Sequence, residues 1–310
     1  MATYTIEPER RTLHGHFSRD LPPILTIDPG DTVVFRTIDA GWGLEIPHDD
    51  GTARAKFEPR TEDDSGHALC GPVFIRGAQP GMTLAVHIDD LRVGSYGWTG
   101  AGGWHTPLND RLGVSELPEF SLHWTLDPDA MTGRDQFGHT IALSPFMGVM
   151  GMPPAEPGKH GTPPPRVTGG NIDCKELVAG STLYLPIAVE GGLFSTGDGH
   201  ARQGDGEVSV MAVECPMERC QLTFDLLPDL HLTTPRAHTP AGWLTFGFHE
   251  DLDEAIGIAL NAMLDLMNEL HGYDRQMALA LASLVVDVRI TQLVNGVRGI
   301  HALLPHNAVQ

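Results

Sequence analysis

Short runs in which apolar and polar residues alternate, separated by glycine and proline, cover most of the chain. A period of two is the mark of a half-buried strand. Residues 3–13, 24–27, 32–38, 83–88, 121–127, 139–146, 208–214, 221–227 and 242–250 all read this way. Three of the runs share an introduction. Pro29-Gly30 precedes the run 32–38, Pro80-Gly81 precedes 83–88, and Gly180 precedes 181–189. Proline presets φ at the first central position of a turn and glycine accepts positive φ at the second. The run 181–189, STLYLPIAV, carries Pro186 in its middle, which predicts an edge or a bulge there. Helical periodicity is confined to the last third. Residues 251–272 place Ala255, Ile256, Ala259, Met263 and Leu266 on one face, with Asp251 or Asp253 as cap and Gly272 as stop. A second helix is predicted over 273–283, then a hairpin over 284–305 around Asn295-Gly296. The pattern predicts a mainly β protein, a sandwich or barrel built from hairpins, with an α+β C-terminal part. Segments 1–150, 151–250 and 251–310 are the expected divisions, as separate parts or as one continuous unit.

Two stretches break the pattern. Residues 45–69 are polar and predict a surface excursion, after a DAGWG loop at 39–43. Residues 89–120 read as loop-rich, and the segment YGWTGAGGW at 96–104 suits either a pocket wall or simple packing. The long aperiodic segment 153–170 is of the kind that is usually functional or a linker.

At 310 residues the chain can bury a large core. Its net charge of −20 comes from 40 acidic and 20 basic residues, with lysine only at positions 56, 159 and 175. No basic patch serves nucleic acid or an anionic membrane. The N-terminus lacks the apolar core of a signal peptide, and no run is long enough to span a bilayer. The four cysteines show no CxxC and no zinc-knuckle spacing, so the expectation is a cytoplasmic protein with reduced thiols.

Chemistry concentrates between residues 168 and 208. Asn171, Asp173, Lys175 and Glu176 precede the run 181–189, and Asp198, His200, Asp205 and Glu207 follow it in the loop GDGHARQGDGE. Asp198 and His200, two apart, leave the same face of an extended segment, and Asp205 and Glu207 repeat the spacing. One imidazole among carboxylates suits a divalent ion, zinc first, with calcium or manganese as alternatives. The bland alternative is a solvated acidic turn. His14 and His16 share one strand face and are candidates for metal or substrate binding, or are two surface histidines. Cys174, Lys175 and Glu176 are the side-chain types of a nitrilase-type amidase, but consecutive residues cannot converge on one atom. Ser181 and Ser195 lack a GxSxG elbow.

The segments GGNIDCKEL and STLYLPIAVEGGLFSTGDGHARQGDGEV resemble the acetamidase/formamidase family in content, order and spacing. PGDTVVFRTIDA and CGPVFIRGAQPGMTL extend the resemblance more weakly through the N-terminal part. It implies a β-rich fold with an α/β portion, a bound divalent metal, and hydrolysis of small aliphatic amides to ammonia and an acid. It marks Asn171, Asp173, Asp198, His200, Asp205 and Glu207 as the motif's polar residues. Amide hydrolysis needs an activated water, a polarised carbonyl and a proton for the leaving amine. The assignment that follows makes Asp198, His200 and Asp205 metal ligands, Glu207 or Asp173 the base and proton shuttle, and Lys175 a donor to the developing oxyanion. Asn171, His14 and His16 are the expected substrate-binding residues. The expected partners are a small-molecule amide and further copies of the chain, as a homo-oligomer such as a dimer. A non-catalytic metal- or small-molecule-binding β-protein on the same scaffold is the alternative.

Overall fold

Each of the three turn-then-strand units feeds the same sheet. In the computed structural model, which describes residues 1–48 and 52–309, Gly30, Gly81 and Gly180 have φ of 88°, 90° and 88°. Glycine enters this region without a Cβ clash. The strands that follow are Thr32–Thr37, Thr83–Val93 and Thr182–Pro186. They lie in a nine-stranded sheet ordered Thr3–Ile6, Thr32–Thr37, Met217–Leu227, Thr83–Val93, Thr182–Pro186, Arg236–Thr239, Gly242–His249, Arg298–Pro305, Asp287–Gln292. The first pair is parallel and the remaining neighbours are antiparallel. This one sheet draws strands from all three stretches of the chain. Pro186 is the last residue of its strand, opposite Thr83.

The second sheet has eleven strands. Its main path runs Thr140–Ala142, Thr132–Asp135, Phe120–Asp127, Tyr96–Ala101, Glu214–Cys215, Phe194–His200, Phe146–Gly151, Gly169–Asn171. Leu69–Ile75 also pairs with Phe194–His200 and carries Leu13–His14 and Leu25–Ile27. The two sheets pack face to face. Phe194 of the second meets Phe35 and Phe224 of the first, with ring centroids 6.4 and 5.0 Å apart, and all three are fully buried. Truncating an aromatic in such a position to alanine costs about 3–5 kcal/mol.

The helices add a third layer at one end. Asp251 caps Leu252–His271 by accepting from the backbone N–H groups of Asp253 and Glu254, and Gly272 ends it in the left-handed region. Ala255, Ala259, Met263 and Met267 pack on Ile300, Ala302 and Leu304 of the sheet. A Cβ on Gly247 would stand 2.0 Å from the Ala255 carbonyl oxygen, so the strand must be bare where the helix crosses it. Arg275–Val285 follows, capped by Asp274. No helix among the described residues is long and apolar enough to cross a membrane. All four cysteines are free and buried.

Several elements differ from the sequence pattern, and the stretch read as loop-rich holds a short helix, Pro107–Leu112. The run 208–214 forms no strand before Glu214, because Gly206, Glu207 and Val210 take φ of 92°, 46° and 73° and turn the backbone away from extension. The segment at 96–104 begins as the strand Tyr96–Ala101. The polar stretch 45–69, of which residues 49–51 lie outside the described residues, is not a free excursion. Arg54 pairs with buried Asp39 at 2.6 Å, Arg10 pairs with Asp64 at 2.7 Å, and Trp42 Nε1 donates to the Gly66 carbonyl at 2.8 Å.

The two N-terminal histidines brace this fold. His14 Nε2 lies 2.9 Å from Ser195 Oγ and its Nδ1 lies 2.8 Å from the His16 carbonyl, while His16 Nδ1 contacts the Asp63 carbonyl at 3.1 Å. Both are buried. Burial pushes the His14 pKa down from 6.5 to about 4. The unfolded chain therefore takes a proton that the folded chain refuses. This contribution to stability is intact above pH 6.5, shrinks as the pH falls, and is gone by about pH 4. The shift corresponds to about 3 kcal/mol. Denaturant unfolding at about pH 7 and about pH 4 should show that much less acid sensitivity in His14→Gln than in the parent chain. Equal pH slopes in the two proteins would remove His14 from the acid response.

Candidate active site

The strand Phe194–His200 lies inside the second sheet, with all seven residues buried. It presents Asp198 and His200 toward Gly148 of Phe146–Gly151. A Cβ at position 148 would stand 2.4 Å from Asp198 Oδ2, 2.8 Å from Asp173 Oδ1 and 2.9 Å from His200 Cε1. The missing side chain is thus the space the acidic groups occupy. Asp173 follows the strand Gly169–Asn171, Glu207 follows Gly206, and Glu214 opens the short strand Glu214–Cys215. Asp173, Asp198 and Glu207 have φ of 54°, 61° and 46°. Left-handed non-glycine residues cost of order 1–3 kcal/mol each and cluster at functional sites.

His200 is the hub. Its Nε2 is 3.2 Å from Asp198 Oδ1 and 3.4 Å from Glu214 Oε2, and Phe146 meets the ring edge-on at 5.0 Å. Gln203 sets the other nitrogen. Its Nε2 donates to the Asp173 carbonyl at 2.8 Å, which turns its Oε1 toward His200 Nδ1 at 3.0 Å. An amide oxygen only accepts, so Nδ1 carries a proton and Nε2 faces the carboxylates. The C-terminal hairpin supplies the rest of the frame. Asn295 Nδ2 donates to Asp173 Oδ2 at 2.7 Å. Gly206 donates to the Thr291 carbonyl and accepts from Leu293 N–H, both at 3.1 Å, which sets Glu207 in place.

Four carboxylates around one imidazole cannot all be charged without an offset. Burial, and then the neighbouring Asp198, push Asp173 well above the usual carboxylate range. Burial and Asp173 do the same to Glu207, and burial raises Glu214. Asp198 goes the other way: burial opposes its charge, but the His200 and His67 imidazoles outweigh it and lower its pKa. Burial also opposes charge on His200, yet Glu214 and Asp198 raise it well above 6.5. Several oxygens find no partner. Asp173 Oδ1, Glu207 Oε2 and Asn171 Oδ1 are buried without a hydrogen bond. Unmet acceptors and excess negative charge are what a divalent cation would satisfy. Asp198, His200 and Glu214 form one group that could hold it, and Asp173, His200 and Glu207 another.

A cavity of about 920 Å³ reaches this cluster, and its wall includes Asn171, Asp198, His200, Glu207, Glu214 and Asn295. Trp42, Trp98 and the segment from Glu58 to His67 form its outer part. The site therefore contains Asn171, Asp173, Asp198, His200 and Glu207 of the residues marked by the motif. It leaves out the others. Asp205 pairs with Lys175 at 2.8 Å, both about one-third exposed and outside the cavity wall, so neither faces His200. His14 and His16 are outside that wall as well. Sequence reasoning missed Glu214, Gln203, Gly148, His67 and Asn295. Gln203 stands inside the motif itself and was legible there, and Glu214 is the one acid in the run 208–214. The other three come from distant segments that only the fold brings near.

This arrangement separates two carboxylates of the same motif region. For a divalent cation taken up by this cluster, with zinc as the probe, Glu214→Gln should weaken binding about tenfold or more, whereas Asp205→Asn, whose carboxylate pairs with Lys175, should leave it unchanged. Gly148→Ala should lower bound zinc too, because its methyl group takes the space of Asp198 Oδ2. Zinc titration of the chelated proteins checks all three, and unchanged affinity in Glu214→Gln would exclude Glu214 from the ligand set.

Comparison with known proteins places the chain in a family. The family model described as the Acetamidase/Formamidase family matches residues 2–160 and 155–308. The chain is 50% identical over 255 residues to an acetamidase of Mycolicibacterium smegmatis, a match covering 63% of this chain and 61% of that one. It is 29% identical over 247 residues to a formamidase of Methylophilus methylotrophus, covering 64% of this chain and 60% of that one. The matched region thus spans less than two thirds of the length of each of these relatives. The crystal structure of a recombinant predicted acetamidase/formamidase from the thermophile Thermoanaerobacter tengcongensis has a TM-score of 0.85 to this fold, at 25% identity, covering 98% of this chain and 96% of that one. The chain belongs to the acetamidase/formamidase family.

Proposed function

We propose that this chain hydrolyses small aliphatic amides, of the formamide or acetamide kind, to ammonia and a carboxylic acid, with a divalent cation held by Asp198, His200 and Glu214. The observation that carries this reading is the buried cluster of acids around His200, with unpartnered oxygens, at the end of a cavity. A bound zinc-class ion supplies Lewis acidity, polarising a carbonyl and lowering the pKa of water. Everything else falls to the protein. Asn171 Oδ1, buried and free, is an acceptor for the substrate's amide N–H. Glu207 lines the cavity, whereas Asp173 sits behind it, tied to Asn295. Burial raises both acids, with Asp198 adding to it at Asp173 and Asp173 adding to it at Glu207, so the pair can keep one proton near neutral pH. Glu207 Oε2 takes a proton from the attacking water and passes one to the leaving nitrogen. Asp173 holds Glu207 and the Gly148 segment in register, as substrate-orienting support. Trp42, Trp98, Val210 and Met211 give the cavity wall an apolar part beside these contacts, where polar interactions are strengthened by displaced water.

Ammonia release from formamide and acetamide tests the reaction. Activity should vanish after chelation and return with zinc, and no ammonia from either amide with zinc bound would overturn the reading. Glu207→Gln keeps the size of the side chain and removes the base. It should retain zinc and lose about a hundredfold or more in kcat, while Asp173→Asn should change KM at least as much as kcat. Loss of zinc from Glu207→Gln would instead make Glu207 a ligand.

A further inference from the structure

One other group of ligand-type side chains converges inside the protein. Cys174 Sγ, a Glu176 carboxylate oxygen and a His301 ring nitrogen lie within 4.8 Å of one another. Cys174 and His301 are fully buried and Glu176 is 9% exposed. None of them lines the active-site cavity, so the reaction above does not use them.

The spacing is that of metal ligands. Glu176 Oε2 is 3.3 Å from Cys174 Sγ and 3.5 Å from His301 Nε2. Zinc bound at about 2.3 Å from sulfur and about 2.0–2.1 Å from nitrogen and oxygen, in tetrahedral geometry, keeps its ligand atoms about 3.3–3.5 Å apart. His301 is already oriented. Its Nδ1 lies 2.9 Å from Thr291 Oγ1. With Nδ1–H donated to that hydroxyl, Nε2 keeps a free lone pair. That Nε2 is buried without a hydrogen-bond partner. Arg289 binds the other oxygen of Glu176, Oε1, at 3.2 Å and leaves Oε2 to the cluster. A thiolate and a carboxylate would neutralise a dication, so no buried charge is left over.

We propose that Cys174, Glu176 and His301 form a second metal site, taking a zinc-class divalent cation with a water as fourth ligand. On binding, the Cys174 thiol proton leaves to solvent and the sulfur coordinates as thiolate. The site's role is structural. It ties the segment just after Asp173 to the strand Arg298–Pro305, and the hairpin containing that strand also supplies Asn295 to Asp173. The metal would therefore hold the active-site acid from behind without touching substrate.

Cobalt(II) reports on this directly, because a thiolate ligand gives a charge-transfer absorption in the near ultraviolet that oxygen and nitrogen ligands do not. The full-length protein, chelated and reloaded with Co²⁺, should show the band. It should persist in Glu214→Gln and disappear in Cys174→Ser. Zinc per chain should fall by about one equivalent in Cys174→Ser, with ammonia release still present. Absence of the band from the cobalt-loaded parent protein overturns the proposal, and it does so even if Cys174→Ser fails to fold. A band and a zinc content unchanged in Cys174→Ser would overturn it equally.

Discussion

Burying several carboxylates around one histidine is the constraint on which this structure turns. Like charges in a medium that excludes water repel strongly, and an uncompensated buried charge costs several kcal/mol. The protein offsets part of this with fixed partners: the His200 ring beside Asp198 and Glu214, the Asn295 amide for Asp173, and the Ala212 N–H for Glu214. What is left over must be met by protons or by a cation. A site in that condition is poised for proton transfer and for metal, and it would be a liability anywhere without function.

The fold meets the constraint by dividing the site between rigid and turned backbone. Asp198, His200 and Glu214 stand on paired strands of the second sheet. That sheet is held against the other by Phe194, four residues before Asp198. Asp173 and Glu207 stand on left-handed residues outside the ladders. Such backbone persists only where its surroundings over-determine it. Here the C-terminal hairpin does so, through Asn295 to Asp173 and through Thr291 and Leu293 to Gly206. The hairpin Asp287–Pro305 thus completes a site that begins with the polar loop near His67.

Polar residues next to a site need not belong to it. His14 and His16 brace the N-terminal segment against Ser195 and Asp63. Lys175 and Asp205 tie two motif segments together at the surface. Sequence spacing treats Asp205 and Glu207 as equivalent, since both follow a glycine by one position. In three dimensions the turn at Gly206 sends one outward to Lys175 and the other inward to Asp173.

Period-two alternation, glycine turns before strands and one strongly amphipathic helix were enough to specify a mainly β architecture with two helices near the C-terminus. These are local properties, because side-chain direction and turn geometry depend on a few neighbouring residues. The same locality made the stretch 168–208 visible as the chemical centre, with Asp198 and His200 on one strand face. The motif also marked Asn171, Asp173 and Glu207. Sequence could not say which acids meet. Glu214 read as part of an ordinary strand, and Asn295 as a hairpin turn. Gly148 looked like any glycine in a methionine-rich segment, and Asp205 looked as good a ligand as Asp198. Those outcomes depend on long-range strand pairing, on three backbone positions forced to positive φ, and on a hairpin whose Asn295 lies 122 residues beyond Asp173. Only the packed tertiary structure decides which buried charges share a space, because that choice is the balance of desolvation against partners drawn from the whole chain.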